Sequence, residues 1–173
     1  MVSIELWKYT PSGEKIFDIV GKCIVYFTES PYTHVALYVN NCTYDATVWF
    51  EDRWRSGVRK RNKRVRGHES MVPNEPLSPE IEDCLQEVAE AYVDSGRPYN
   101  ILKLLALSIV WNTRWLWKKL KWVPFNHELF GEVCSGFVDE VFRKSRIDLF
   151  HDEFEGYTIP GQFMELRGWH KEV

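Results

Sequence analysis

Apolar and polar positions alternate from Val2 to Tyr9, with Val2, Ile4 and Leu6 set against Ser3 and Glu5. That period of two predicts a strand. Thr10-Pro11-Ser12-Gly13 ends it and offers an N-cap with proline at the first helical position. From Ile16 to Phe27 two patterns compete. Gly21 and the β-branched content favour a strand, while Ile16, Ile19, Val20, Cys23, Ile24 and Phe27 fit helical spacing, and we take a helix as the expectation. Glu29-Ser30-Pro31-Tyr32 reads as a loop. A compact apolar strand follows from His34 to Val39, then a two-residue turn at Asn40-Asn41 and a return strand from Cys42 to Phe50. The stretch beyond, flanked by Gly57 and Gly67, is a further extended arm or a hairpin. Ser78-Pro79-Glu80 caps and starts a helix that carries Ile81, Leu85, Val88 and Tyr92 inward and stops at Gly96-Arg97-Pro98. Asn100 to Trp122 is expected to be helical and aromatic with a basic end. A third helix is expected from about Cys134, burying Phe137, Val138, Val141 and Phe142. With no internal repeat and no linker, residues 1–173 read as one α+β domain.

Composition narrows this only a little. The chain has 173 residues, 45% hydrophobic and 27% charged, which excludes disordered, collagen-like and low-complexity classes. Its net charge of −3 gives no global push toward nucleic acid. The order of charges is more informative. Eight Lys or Arg fall between Arg53 and Arg66, and no Lys or Arg but eight acids lie between Gly67 and Gly96. Lys103, Arg114, Lys118, Lys119 and Lys121 then follow without an acid from Asn100 to Val123. Such blocks read as solvated faces, or as contacts for an anionic surface through residues 53–66. The start MVSIELWKY lacks the basic and apolar regions of a signal peptide. The longest apolar stretch, Ile101 to Trp111, is far short of the roughly 20 residues of a membrane span. The expectation is a chain that is cytoplasmic as synthesised.

The four cysteines are too few and too scattered for a disulfide scaffold. No Cys-x-x-Cys or paired Cys/His spacing is present, so neither a metal nor another cofactor is expected. Cys23, Cys42 and Cys84 read as small buried hydrophobes. Cys134 differs: Ser135 and Gly136 leave room beside it, and the amphipathic run that follows puts its sulfur at a helix N-terminus, where a thiolate is stabilised. Spacing alone favours a buried structural cysteine, with the activated thiol as the other reading. His34 opens a strand, and the Asn40-Asn41 turn would bring Asp45 near it. A carboxylate in an otherwise apolar strand needs a partner. Cys134, His34 and Asp45 therefore form a candidate set of nucleophile, base and orienting group.

Five segments, in order, resemble the permuted NlpC-like, papain-like cysteine hydrolases, in particular the YiiX-like branch. Ser30-Pro31-Tyr32-Thr33-His34-Val35-Ala36-Leu37-Tyr38 is similar to that branch's "SPYSHVGIY" signature. Tyr44-Asp45-Ala46, Arg97-Pro98-Tyr99-Asn100, Val133-Cys134-Ser135-Gly136-Phe137-Val138 and Thr158-Ile159-Pro160-Gly161 resemble its acidic, "PYD", "YCSELV" and "TPGD" segments. Gly136 stands where the family often has Glu, and Val133 where an aromatic residue is common. The resemblance implies a circularly permuted papain-like fold, an antiparallel sheet packed against helices, with His ahead of Cys in the chain. It implies Cys134 as nucleophile, His34 as general base and Asp45 as orienting residue, with Tyr32, Tyr99 and Ser135 at the substrate.

The implied activity is a cysteine hydrolase or acyltransferase working through an acyl-enzyme. Its substrates would be peptidoglycan-type peptide amides, or lipid and other acyl esters. Action at a cell wall or from a virion would be compatible with the absent export signal. The alternative is a binding module of the same fold with reduced catalysis, recognising an anionic lipid, a wall polymer or a nucleic acid. Gly136 gives that alternative its weight, and nucleic acid is the least expected of its partners.

Overall fold

The computed structural model describes residues 1–11, 13, 15–51, 53–96, 98–99, 133–150 and 158–172. Six strands form one antiparallel sheet: β1 (Val2–Lys8), β2 (Tyr32–Val39), β3 (Cys42–Glu51), β4 (Arg53–Arg61), β5 (Glu69–Pro73) and β6 (Trp169–Lys171), in the order β4-β3-β2-β1-β5-β6. Among the described residues three α-helices accompany it, α1 (Lys15–Thr28), α2 (Pro79–Ser95) and α3 (Cys134–Lys144), with a 3-10 turn at Pro160–Glu165. The mixed α+β class and the antiparallel sheet agree with the sequence reading. The expected helix over Asn100 to Trp122 lies outside the described residues.

Alternation along the strands builds the core. Val2, Ile4 and Leu6 of β1 share one buried cluster with Val35, Leu37 and Val39 of β2, and with Tyr44 and Ala46 of β3. Leu85, Ala89 and Tyr92 of α2 and Phe137, Val138, Val141 and Phe142 of α3 close over them. The α3 residues named are those expected from helical spacing. The intervening strand positions, Ser3, Glu5, Trp7, His34 and Asp45, belong by the same alternation to the other face.

The β2–β3 hairpin turns at Asn40 and Asn41 with φ of 47° and 65°. Two successive positive φ values match the right-handed twist of the flanking strands, and Asn tolerates them better than most residues. Ser78 caps α2 by accepting from the Ile81 amide, Pro79 opens the helix, and Gly96 closes it at φ 60°. Two starts differ from expectation: β2 begins at Tyr32 rather than His34, taking in the end of the expected loop, and the start of α1 is later than its cap pattern suggests. Pro11 does not start α1, which begins only at Lys15. Gly13 holds φ at 83°, a left-handed setting that a helix cannot run through.

The basic stretch is an extended strand and the loop after it, and it is tied down by carboxylates. Lys60 pairs with Glu90 of α2 at 2.5 Å, and Arg66 lies 3.6 Å from Glu172. Arg64 pairs with Glu172 and with Glu5, which is fully buried. Glu5 also accepts from Ser3 Oγ at 2.7 Å, the Gly67 amide at 3.0 Å and Ser70 Oγ at 2.5 Å. Its two oxygens thus have four donors, which is how a buried carboxylate is accommodated.

Among the described residues, no helix is long and apolar enough to cross a membrane. Among the same residues, no group of three or more His, Cys, Asp or Glu is placed to hold a metal. Cys23, Cys42 and Cys84 are half-buried free thiols, more accessible than their expected role as buried hydrophobes implied.

Candidate active site

The site forms where the sheet opens. The β2–β3 ladder consists of Val39↔Cys42, Tyr38↔Thr43 and Leu37↔Tyr44 and ends there, although both strands continue. β3 keeps its pairing with β4 and β2 with β1, so a split separates them beyond Leu37. α3 packs on both strands. Its first residue, Cys134, is 1% exposed and receives the backbone amides of Val35 and Ser135 at its sulfur. The N-cap residue Val133 supplies no side-chain cap to the first turn, so the amides and dipole of the helix act at the cysteine end.

His34 and Asp45 face each other across the split. His34 Nε2 stands 3.4 Å from Asp45 Oδ2, and the imidazole also hydrogen-bonds the Cys134 sulfur. Asp45 is 3% exposed, whereas the His34 side chain retains a quarter of its surface. Trp7, the cross-strand partner of His34, tilts against the imidazole with ring centroids 5.2 Å apart. The register slips at this point, Trp7 pairing with His34 but Lys8 with Tyr32, so Thr33 is an extra residue that bulges β2 just before His34.

These neighbours decide the charge states. Burial pushes the Cys134 thiol up, but the hydrogen bond and charge of His34, with the two amides, outweigh it and hold the thiol below its ordinary range. Burial alone would lower the His34 pKa. Asp45 and Cys134 reverse that and bring it up to about 10. Asp45 is likewise penalised by burial, yet His34 and Arg59 keep it below the usual carboxylate range. The pairing thus favours the charged form of each group in sequence: thiolate, imidazolium and carboxylate. A thiolate is the nucleophilic form of cysteine, and an adjacent imidazolium is a proton donor.

The other sequence-derived residues divide. The Tyr99 hydroxyl hydrogen-bonds Cys134, and burial together with the sulfur's charge holds its pKa well above the ordinary tyrosine value. Ser135 reaches the sulfur through its amide, while its hydroxyl donates to the Thr158 carbonyl. Tyr32 belongs to a neighbouring cluster. Its hydroxyl donates to Glu69 Oε2 at 2.5 Å, and Lys8 and Lys171 pair with the same carboxylate at 2.7 and 3.1 Å. Burial and Glu69 push the Tyr32 pKa up to about 12.

Arg59 and Trp7 were not singled out by sequence. Arg59 lies opposite Asp45 in the β3–β4 ladder and grips it through Nε to Oδ1 at 2.9 Å and a terminal nitrogen to Oδ2 at 3.0 Å. Arg61 Nε stands at 3.8 Å from Oδ1. A signal for Arg59 existed in its even spacing from Arg61 on one strand face, once Asp45 was known to need a partner. A scan against models of known protein families gives no match to this chain, and a search of curated proteins gives none either.

Proposed function

We propose that this chain is a thiol hydrolase or acyltransferase of the permuted papain-like kind, acting on amide or ester carbonyls with Cys134 as nucleophile. The observation that carries the reading is one constellation. A buried cysteine at a helix N-terminus shares a hydrogen bond with His34, and Asp45 stands 3.4 Å from that ring.

In the proposed reaction the Cys134 thiolate forms a C–S bond to the substrate carbonyl carbon, and the carbonyl electrons move onto oxygen. Amides at the start of α3 are placed to stabilise that developing charge. The His34 imidazolium passes its proton to the leaving nitrogen or oxygen as the bond from carbon to that atom breaks, leaving a thioester on Cys134. Neutral His34 then removes a proton from water or an acceptor hydroxyl, whose oxygen attacks the thioester. The C–S bond breaks, and thiolate and imidazolium are restored. Asp45 orients the ring and offsets its charge. The resemblance supplies the substrate classes, peptide amides of wall peptides or acyl esters, and both present the same carbonyl to the sulfur.

The test is the rate of alkylation of each cysteine by iodoacetamide against pH, read by peptide mass spectrometry on the folded protein and on His34→Ala. Fast reaction at Cys134 alone near neutral pH, slowed about tenfold or more in His34→Ala, supports an activated nucleophile. A Cys134 that titrates as an ordinary thiol near 8.5 removes the basis for hydrolysis and leaves a binding domain of this fold.

A further inference from the structure

The charged array around Cys134 does not end at Asp45. On its other side Arg59 docks through two parallel hydrogen bonds of 2.9 and 3.0 Å, one to each carboxylate oxygen. The backbone enforces the match, because Asp45 and Arg59 are direct partners in the β3–β4 ladder. Oδ2 serves both Arg59 and His34 Nε2. A carboxylate held at both oxygens by a planar fork has its rotation about the Cβ–Cγ bond fixed, and here the fixed setting points Oδ2 at the imidazole.

The charge matters as much as the geometry. In the proposed cycle His34 is an imidazolium, then neutral, then an imidazolium again. Each time it is neutral, Asp45 would be a buried carboxylate without its histidine counter-charge, an expensive state. A guanidinium keeps its charge through the whole cycle.

We propose that Arg59 is a positioning residue of the Cys134–His34–Asp45 array, locking the Asp45 carboxylate toward His34 and keeping it ionised while the imidazole gives up and regains its proton. The inference rests on the thiol-hydrolase reading above. A purely architectural Arg59 would do something else: it would hold β3 to β4, and its loss would lower stability without moving the titration of Cys134.

The experiment is a double-mutant cycle of wild type, Arg59→Gln, Asp45→Asn and the double variant, with Arg59→Lys alongside. Iodoacetamide alkylation of Cys134 is followed from about pH 4 to about pH 9, with Cys23, Cys42 and Cys84 as internal controls. Among the described residues the ionisable groups facing the array are Tyr99, Arg61 and the members themselves, and Asp139, farther along α3, is pushed up to about 6 by burial. Tyr99, Arg61 and Asp139 are common to all four proteins and cancel in the cycle.

The expected result is that Arg59→Gln moves the acid limb of Cys134 reactivity up by about one pH unit, a loss of about tenfold well below that limb. Arg59→Lys, with charge but no fork, recovers part of it. In the Asp45→Asn background the Arg59→Gln change alters the rate by less than about twofold, because Arg59 acts through Asp45. A profile for Arg59→Gln that superimposes on wild type overturns the proposal. So does an effect as large in the Asp45→Asn background as in the wild type. Should Arg59→Gln fail to fold, the shift in Arg59→Lys decides in the same way. A wild-type Cys134 no faster than the other three thiols overturns the hydrolase reading and this inference with it. A fast wild-type Cys134 with an unmoved Arg59→Gln overturns the role of Arg59 alone.

Discussion

At the scale of single residues, burial and pairing compete at each ionisable group, and the winner sets a testable pH window. For Cys134 pairing wins. Its reactivity toward a neutral alkylating agent is therefore expected to persist below the ordinary thiol range and to fall only when the sulfur takes up a proton. Cleavage of an amide also needs the His34 proton, so that rate is expected to drop as pH rises through about 10. A bell with its acid limb at or above the ordinary thiol value would contradict the assignment. For Asp139 burial wins. Thr158 Oγ1 donates to it at 2.9 Å, yet the carboxyl is pushed up to about 6. A folded pKa above the unfolded value means ionisation costs stability. That cost is absent below about pH 4, grows as pH rises through about 6, and is complete at neutral pH. Asp139→Asn keeps an acceptor for Thr158 and loses the charge. It is expected to stabilise the fold by about 1–3 kcal/mol at pH 7.5 and by nearly nothing at pH 4, as read from urea unfolding.

At the scale of elements, what sequence conveyed depended on how local the signal was. The Asn40-Asn41 turn, the Ser78-Pro79 start and Gly96 stop of α2, and the inward face of α3 are each written within a few residues. The helix expected over Ile16 to Phe27 is α1, but the cap pattern at Thr10-Pro11 does not start it, because the left-handed Gly13 intervenes. The nearness of His34 to Asp45 was legible because the hairpin turn sets them on adjoining strands, but the opening of the sheet between them was not. Arg59 and Trp7 reach the site through the β3–β4 and β1–β2 ladders, whose registers no local pattern specifies. The carboxylates that pair with the basic block have no local signal, because they lie far along the chain, Glu5 at one end and Glu172 at the other. The loop carrying Arg64 is pressed onto β1 so closely that a Cβ at Gly67 would fall 2.7 Å from the Leu6 nitrogen. Gly67→Ala must therefore push the loop off Leu6 and stretch the Gly67 amide from Glu5. A loss of about 1–3 kcal/mol is expected in urea unfolding, and an unchanged midpoint would show that the loop yields freely.

Across the whole molecule, segments distant in sequence are fastened to one another by the last described strand. β6 pairs with β5, and Trp169 packs edge-on against Phe142 of α3 with ring centroids 5.7 Å apart. Glu172 completes the coordination of Arg64, whose other carboxylate, Glu5, is on β1 in the middle of the sheet. Through Phe142 the same helix that presents Cys134 is bound to the sheet edge far from the active-site split. Trp169 is half-buried, so Trp169→Ala removes packing from β6 and α3 together and is expected to cost about 2 kcal/mol. Glu172→Gln leaves Arg64 with one anionic partner and is expected to cost about 1 kcal/mol, since that pair is partly exposed. The two residues touch different elements, so their separate and combined effects distinguish two architectures. If the sheet edge and helix unfold as one unit, thermal unfolding of the double variant remains a single transition at a lower midpoint, with Cys134 staying reactive until that transition. If β6 is only an appended edge, hydrogen exchange at the β5–β6 amides will show it melting first, while alkylation of Cys134 is still unaffected. The first outcome is expected, because Trp169 and Cys134 stand on either side of one continuous core that includes Phe137, Val138, Val141 and Phe142.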